Sequence, residues 1–222
     1  MQKFATAAPI TAALDIPAGR VQVIAADRAD TTVEVRPADG TKGRDVKAAE
    51  RVTVEYRDGV LRIAAPAPKN RALGHSGSVE VTVQLPAGSR VDAQAALTDF
   101  RGVGRLGDVT LDAAQGTVKL DEAAAARLTV QAGDITVGRL GGPAEISTQK
   151  GDLRVAEAVT GTVALTTRAG DITVGAAQGV SATLDAGTAL GRVHNSLRNT
   201  GGAAALNIRA TTSLGDITAR SL

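Results

Sequence analysis

A five-residue phrase, Gly-Asp followed by an apolar, a polar and an apolar residue, recurs through the second half of the chain. Weaker versions, such as residues 116–120 and 161–165, lie between the strong ones. The resulting step of about nine residues fits a strand of about five residues and one corner. Self-similarity at a fixed period predicts stacked units, here flattened coils of two steps. The Gly-Asp pairs are Gly107-Asp108, Gly133-Asp134, Gly151-Asp152, Gly170-Asp171 and Gly215-Asp216.

The spacing inside each phrase predicts a β-strand with one face in a core. The two apolar residues, for example Ile135 and Val137, lie two positions apart and point to the same side of a strand. The residue between them is usually Thr, as at Thr136, which predicts a solvated outer face. Glycine allows the positive φ of a sharp corner, and aspartate can accept hydrogen bonds from nearby backbone N–H groups. We therefore interpret the Gly-Asp pairs as structural turn positions.

The first half of the chain has longer alternating runs. Asp58-Gly59 between two of them predicts a hairpin. Pro17 and Pro86 predict strand ends, because proline donates no ladder hydrogen bond. The runs are residues 20–24, 31–36, 51–56, 60–63 and 79–85.

Three segments interrupt the strand pattern. Residues 41–45 and 66–78 predict mobile loops, and the second carries His75. Residues 122–127 have high helix propensity but are too few to hold a helix alone. We predict that they form a corner or a strand entry.

The composition fits one all-β domain over residues 1–222. Longer strands and hairpins are expected in residues 1–94, and the repetitive β-coil in residues 95–222. The aromatic residues are Phe4, Tyr56 and Phe100. Rings normally anchor a core of this size, so this core has to be built from Val, Ile, Leu and Ala, which suits a thin space between regular strands.

Charge and cysteine content exclude several classes of partner. The 25 Lys and Arg residues nearly balance the 23 Asp and Glu residues, and no long run of like charges occurs. Together with the scarcity of stacking rings, this argues against nucleic-acid binding. The chain has no cysteine, which excludes disulfides and thiolate metal sites. The N-terminal residues lack a long apolar segment, so no signal peptide, no transmembrane helix and a cytoplasmic location are expected.

Two chemical alternatives compete with the structural interpretation of the Gly-Asp pairs. Calcium binding would need six to eight oxygen ligands, whereas each corner offers one aspartate. A carbohydrate-active enzyme would need paired carboxylates in a cleft, and sugar-stacking rings are scarce, which also argues against a polysaccharide partner. His75 and His194 lie far apart in polar contexts. The sequence therefore predicts no catalytic residue, no metal and no cofactor.

The chain resembles the bacterial DUF4097 family, whose members are also labelled adhesin domains. Residues 14–23, residues 79–91 and the repeated Gly-Asp-Ile-Thr-Val phrases carry the resemblance. It implies a right-handed β-solenoid-like stack of short strands with a longer-strand N-terminal region, and no established catalytic residues. Some relatives are linked to envelope-stress responses. The chain departs from the pattern at residues 191–195, where Arg192 replaces the aspartate and Asn195 takes an expected apolar position.

These observations predict a non-enzymatic structural or interaction scaffold. A solenoid ends in an open strand edge, so a protein partner or self-association through the solenoid ends is expected. The last repeat stops close to the end of the sequence, which leaves end-to-end dimers or filaments open. The alternatives are an adhesin-like or envelope-stress-linked ligand-binding module, a regulatory partner protein and, last, a carbohydrate-active enzyme.

Overall fold

The computed structural model describes residues 1–65, 77–199 and 203–222. The chain divides into two compact units, Met1–Gly116 and Thr117–Leu222, which we call unit 1 and unit 2. Strands dominate both units, and one helix occurs among the described residues. The predicted all-β class is confirmed.

The described residues of unit 1 form eight strands and the helix. They are β1 (Gln2–Ala5), β2 (Thr11–Asp15), β3 (Ala18–Ala26), β4 (Asp30–Pro37), α1 (Gly43–Glu50), β5 (Thr53–Arg57), β6 (Val60–Ala64), β7 (Val79–Pro86) and β8 (Arg90–Gln115).

The strands of unit 1 form two ladders that share β8. In the first, β2 lies parallel between β6 and residues 90–94 of β8, and β5 pairs antiparallel with β6. In the second, β3 lies parallel between β7 and residues 97–103 of β8, followed by antiparallel β4 and β1. Asp58 and Gly59 join β5 to β6 with φ of 51° and 77°. This confirms the predicted hairpin, since two positive φ values match the twist of the paired strands.

The helix corrects the prediction of a loop over residues 41–45. α1 begins at Gly43, and Asp45 in its first turn is buried. The backbone N–H of Ser78 donates to Asp45 Oδ1 at 3.0 Å, which ties the helix start to the residue before β7. The helix spans eight residues, about two turns, and so short a segment gives a weak helical pattern beside the long strand runs. Most of the second predicted loop, including His75, lies outside the described residues.

Ten strands lie in the described part of unit 2. They are β9 (Val118–Ala132), β10 (Ile135–Leu140), β11 (Ala144–Lys150), β12 (Leu153–Ala158), β13 (Gly161–Ala169), β14 (Ile172–Ala176), β15 (Ala182–Leu190), β16 (Val193–Ser196), β17 (Leu206–Leu214) and β18 (Ile217–Ser221).

Two ladders of parallel strands build unit 2. One runs from the start of β9 through β10, β12, β14 and β18 to β16. The other runs from the end of β9 through β11, β13 and β17 to β15. Ile135 pairs with Leu153, so one coil returns to its starting position after 153 − 135 = 18 residues. The predicted β-solenoid-like architecture is confirmed.

Residues 122–127 belong to β9, where the chain passes from one ladder to the other. Glu122 and Ala123 pair with β10, and Ala126 pairs with β11. Ala123 and Ala126 are buried. Small side chains are therefore needed at this bend, and tertiary packing overrides the local helix propensity.

The last three coils of unit 2 are not stacked in chain order. β17 lies between β13 and β15, and β18 lies between β14 and β16. We call β13–β14 the inner coil, β17–β18 the inserted coil and β15–β16 the end coil. The link before the end coil, residues 177–181, is longer than the link over residues 159–160 between β12 and β13. The longer link allows the chain to skip one level of the stack.

The core of unit 2 consists of aliphatic side chains from inward strand positions. Every second residue along the strands is buried, as the sequence pattern predicts. Uniform side chains suit this space because each coil repeats the position of the one below. The largest fully buried side chains are Leu128, Ile135, Leu140, Ile146, Leu153, Leu165 and Ile172.

Candidate functional site

The Gly-Asp corners of unit 2 stack in one column in which the backbones approach closely. Gly170 has a φ of +149°, and a Cβ there would lie 2.0 Å from the carbonyl oxygen of Gly151. Gly151 and Gly215 face the same limit, with distances of 2.2 and 2.1 Å to the next glycine carbonyl. Only glycine combines this φ with the absence of a side chain. The glycines therefore serve the contact between coils as well as the corner itself.

The aspartates of these corners form a chain of hydrogen bonds along the stack, which we call the aspartate column. The backbone N–H of Asp152 donates to Asp134 Oδ1 at 2.9 Å, and that of Asp171 donates to Asp152 Oδ1 at 2.8 Å. Asp216 N–H donates to Asp171, and Arg192 N–H donates to Asp216, both at 2.8 Å. Each side chain thus binds the next coil, whereas the sequence suggested a bond within its own turn.

The first Gly-Asp pair of the sequence lies in unit 1 and makes different contacts. Gly107 N–H donates to the carbonyl oxygen of Ser89 at 2.9 Å. Asp108 Oδ2 accepts from Arg90 Nη2 at 2.5 Å. The Asp108 carboxylate therefore bonds to a side chain, whereas the carboxylates of the aspartate column bond to backbone N–H groups.

A column of inward threonines completes the corners, and sequence reasoning missed it. The Oγ1 atoms of Thr148, Thr167, Thr212 and Thr188 donate to glycine carbonyl oxygens of an adjacent coil at 3.3, 3.1, 3.1 and 3.0 Å. Thr148, Thr167 and Thr212 are buried. Their acceptors are the carbonyls of the stacked glycines, so the hydroxyls satisfy groups that close backbone approach would leave without a partner. The available signal was a Thr three residues before the Gly, as in residues 148–152 and 167–171.

The contacts of the aspartate column support a structural role for its carboxylates. Hydrogen bonding from the Arg192 backbone N–H, with the nearby Arg192 charge, lowers the pKa of Asp216, so its charged form is favoured. A proton donor at neutral pH would need the opposite shift. Among the residues that the structure describes, no group of three His, Cys, Asp or Glu side chains could hold a metal ion.

Among the described residues, the strands of the end coil pair with other strands on one side only, and most of its inward side chains are partly exposed. On the other side the chain covers only the start of β15, where the Ala182 N–H donates to the Arg198 carbonyl oxygen at 3.3 Å. Val193 is 43% exposed, although its register partner Ile217 is fully buried. Leu184 in β15 is half-buried, whereas its partner Ile208 is buried. Leu190, at the corner of the end coil, is 67% exposed, but its register partner Leu214 is also 54% exposed, so this corner position is open at both levels. Burial is therefore reduced at Val193 and Leu184, whereas Ala182 at the start of β15 stays buried.

The end coil keeps the register of the stack despite its unusual sequence. Asn195 pairs with Ala219 and therefore occupies an inward position, where it is exposed to solvent. Its Oδ1 accepts from the backbone N–H of Leu197 at 3.0 Å. An asparagine at this position inside the stack would be buried among apolar groups and would be costly. Arg192, at the corner where the other coils have aspartate, donates to Asp216 and closes the aspartate column.

Unit 1 contains an open cleft of about 1240 Å³. Its charged lining includes Asp39, whose carboxylate accepts from the backbone and side chain of Thr41 and pairs with Lys42. These contacts lower the pKa of Asp39, and the largest contribution comes from the hydrogen bond that the Thr41 hydroxyl donates. Asp45 is held by Ser78 as described above. The Asp39 and Asp45 carboxylates thus serve local structure.

The sequence profile of the Toastrack DUF4097 family matches residues 13–220. The chain belongs to the DUF4097 family. The predicted family is thereby confirmed over nearly the whole sequence. A comparison with curated proteins found no significant match to the chain.

Several solved bacterial structures are similar to the chain over almost its full length. An inferred cell adhesion protein of Clostridium sporogenes is 10% identical with a TM-score of 0.46, covering 100% of this chain and 98% of that one. An inferred adhesin of Bacteroides fragilis is 11% identical with a TM-score of 0.46, covering 98% and 95%. An inferred lipid-binding protein of Parabacteroides distasonis is 12% identical with a TM-score of 0.45, covering 97% and 95%. Within the described part of the chain, no helix has the length and apolar character needed to span a membrane.

Proposed function

We propose that the chain is a non-enzymatic interaction scaffold that associates with a second copy of itself through the end coil of unit 2. The observation that carries this proposal is that both ladders of unit 2 end on one coil. Among the described residues, the only strand paired with β15 is β17 and the only strand paired with β16 is β18. The Arg198 carbonyl oxygen takes one outer N–H of β15, that of Ala182, and the rest of the edge remains for a partner. An unpaired strand edge presents N–H and C=O groups that another strand can bond.

The geometry of the end coil favours a second copy over an extended peptide. β15 and β16 lie in different ladders, so an occupant has to supply two strands together. A two-fold axis perpendicular to both ladders would set each strand antiparallel to its equivalent in the other copy. A closed interface of this kind is isologous, the commonest arrangement in homodimers. A single peptide strand would cover only one of the two edges.

The charges of the end coil permit this pairing. β15 carries one charged residue, Asp185, and β16 contains no Lys, Arg, Asp or Glu. Within these two strands, Asp185 is the one position at which a like charge could face its own copy. The edge strands of unit 1 differ, because β1 carries Lys3 and β5 carries Glu55 and Arg57. Charges of this kind are how natural sheets discourage edge pairing.

Apolar surface supplies a driving force for association. Val193 and Leu190 are 43% and 67% exposed, and Leu184 is half-buried. A second copy on the same edge would remove part of this surface from water, which is favourable in proportion to the apolar area covered. The end coil would then acquire the cover that the inner coil already has.

Light scattering over a range of concentrations tests the proposal with a matched pair of variants. Gly187→Lys places a charge on the outer face of β15, where a Cβ meets nothing within 4 Å. Thr166→Lys places the same charge in the same row of β13, two strands away and away from the edge. We expect the mass of the unmodified chain to rise from 22.4 kDa towards a dimer with concentration. Gly187→Lys should stay monomeric, and Thr166→Lys should behave like the unmodified chain.

Two outcomes would contradict the proposal. A chain that remains at one copy at the highest soluble concentration would exclude self-association and leave a different protein as the occupant. Equal loss of association in both variants would place the interface outside the edge of the end coil. Far-ultraviolet circular dichroism on both variants separates these outcomes from misfolding.

Two further predictions accompany the proposal. The family match over residues 13–220 supports one functional domain over residues 1–222, and limited proteolysis that releases a stable half would contradict it. A cytoplasmic location stays a prediction from the sequence, and fractionation of the host cell tests it.

A further inference from the structure

We propose that the inserted coil is exchangeable, and that the slot it fills is a binding site for the same segment, β17–β18, of a second copy. The proposal goes beyond association through the outer edge of the end coil and does not depend on it. It rests on the inverted order of the last three coils, in which a later segment of the chain separates two earlier ones.

The slot is lined by strand edges on both sides. β17 pairs in parallel with β13 and β15, and β18 pairs in parallel with β14 and β16. Neighbouring strands lie about 4.8 Å apart, so the inner coil and the end coil are separated by roughly twice that distance, about 9.6 Å. Without the inserted coil, both faces of the gap would present unpaired backbone. Two open edges at this spacing match one coil of strand.

The inward side chains of the inserted coil fill the gap almost without exposure. They lie in the core between the inner coil and the end coil, and each is at most 1% exposed. These side chains are Leu206, Ile208, Ala210, Ile217 and Ala219. Apolar burial on this scale makes the segment a strong ligand for its slot.

The corner adds polar recognition to the slot. Asp171 on the inner coil accepts from the N–H of Asp216, and Asp216 accepts from the N–H of Arg192 on the end coil, both at 2.8 Å. Thr212 Oγ1 donates to the carbonyl oxygen of Gly170 at 3.1 Å. The segment therefore meets matching donors and acceptors on both sides, which fixes its register as well as its direction.

The end coil competes poorly for the same slot. Its inward positions include Asn195 where the inserted coil has Ala219, and Val193 where the inserted coil has Ile217. Moving Asn195 between two coils would bury its amide among apolar side chains. The sequence thus reserves the slot for residues 206–221, and this difference explains why the chain order is inverted.

The same contacts can form within one chain or between two. The strand pairing of the inserted coil joins it to β13, β14, β15 and β16, so an identical segment from a second copy can form the same bonds. Exchange of an identical element between protomers needs no new interface, and the concentration of the second copy then decides how much forms. Reciprocal exchange gives a dimer whose two slots are both filled.

Disulfide trapping tests the exchange cleanly because the chain has no cysteine. Thr166 in β13 and Thr211 in β17 are register partners, and both are exposed on the outer face. Their spacing in neighbouring strands suits a disulfide. Chains carrying Thr166→Cys alone and Thr211→Cys alone are mixed, unfolded in urea, refolded together and oxidised. A disulfide between the two chains then reports insertion of one chain's β17 beside the other's β13.

A second pair of variants supplies the matched control. Thr129 in β9 and Ser147 in β11 are register partners on the same outer face but involve no inserted coil. We expect the mixed Thr166→Cys and Thr211→Cys chains to give at least about five times more crosslinked dimer than mixed Thr129→Cys and Ser147→Cys chains. Equal yields from the two mixtures would overturn the proposal.

Two additional samples make the result independent of folding and of the end-coil proposal. The double variant Thr166→Cys/Thr211→Cys should close within a single chain, and its failure to close would overturn the register on which the slot depends. Adding Gly187→Lys to both single variants should leave the crosslinked yield unchanged, because that charge acts at the outer edge of β15. A yield lost with Gly187→Lys would assign the dimer to the end coil instead of to exchange.

Discussion

The inner coil and the end coil of unit 2 have the same register but differ in burial. Ile172 in the inner coil is fully buried, whereas Val193 in the same row of the end coil is 43% exposed. Thr167 is buried, whereas Thr188 in the same row is half-buried. Both corners contain a glycine in close approach to its neighbour. The level of a coil in the stack therefore decides whether an inward residue contributes to the core, and equivalent substitutions at the two levels measure that difference.

The largest effect is expected at the glycine of the inner corner. In Gly170→Ala the new Cβ would lie 2.0 Å from the Gly151 carbonyl oxygen at a φ of +149°, so strain and overlap combine. We expect a loss of more than about 4 kcal/mol in the free energy of unfolding, measured by urea denaturation. Gly187→Ala on the outer face of β15 controls for the added methyl group itself, because nothing lies within 4 Å of its Cβ. It should change stability by less than about 0.5 kcal/mol, and a large loss there would contradict the assignment of the Gly170 effect to close approach at the corner.

The next effect compares one row of core positions. Ile172→Ala removes a fully buried side chain and should lower the free energy of unfolding by about 2–5 kcal/mol. Val193→Ala in the same row should cost less than about 1 kcal/mol, because much of that side chain is already in water. Both values come from urea denaturation at a concentration where the chain is monomeric. Similar losses for the two variants would show that the end coil is covered in solution.

A smaller effect is expected from the threonine column. Thr167→Val keeps the shape of the side chain but removes the 3.1 Å hydrogen bond to the Gly151 carbonyl oxygen. The expected loss is about 0.5–1.5 kcal/mol. Thr188→Val removes the equivalent bond to Gly215 at a half-buried position, where water can replace the hydroxyl. Thermal unfolding of the two variants should rank Thr167→Val as the less stable, and the reverse order would argue against the role of burial.

The smallest effect concerns acid. The pKa of Asp216 is lowered by the bond from the Arg192 backbone, and that of Asp30 in unit 1 is lowered to about 2 by bonds from Arg28 and Lys3. Each charged carboxylate stabilises the fold above the unfolded pKa of about 3.9, and the stabilisation is lost as the pH falls through the folded value. Asp216→Asn and Asp30→Asn should each flatten the loss of stability between about pH 4 and 2, followed by urea denaturation at several pH values. An unchanged profile in Asp216→Asn would show that this carboxylate does not hold the end coil.

Much of the fold could be predicted because alternation and corner glycines are local signals. Ile135 and Val137 lie inside as the spacing of two requires, and Asp58-Gly59 forms the hairpin that its dipeptide predicts. Helix α1 could not be predicted, since its eight residues span only about two turns and tertiary contacts such as Ser78 to Asp45 hold its start. The order of the last coils could not be predicted either, because every coil repeats the same pattern and the period does not show which coils are adjacent.

The candidate site was only partly visible in the sequence. Arg192 and Asn195 stood out as departures from the phrase, and both lie in the end coil. Their polar character now has a physical cause, since the last level of a stack has no cover to exclude water. Thr167 and its equivalents escaped notice because threonine was expected on the outer face, where strand propensity alone explains it. An inward threonine becomes meaningful only when its acceptor on another coil is known.

The inverted coil order determines when each of the last strands can pair during synthesis. β15 and β16 leave the ribosome before β17 and β18, so for a time they have no strand against which to pair. Many repeat proteins can add one unit after another as the chain emerges. This chain can do so up to the inner coil, but β15 and β16 then remain unpaired until β17 and β18 have been synthesised. Translation speed through residues 177–222 therefore affects how long an unprotected edge is open to other chains in the crowded cell.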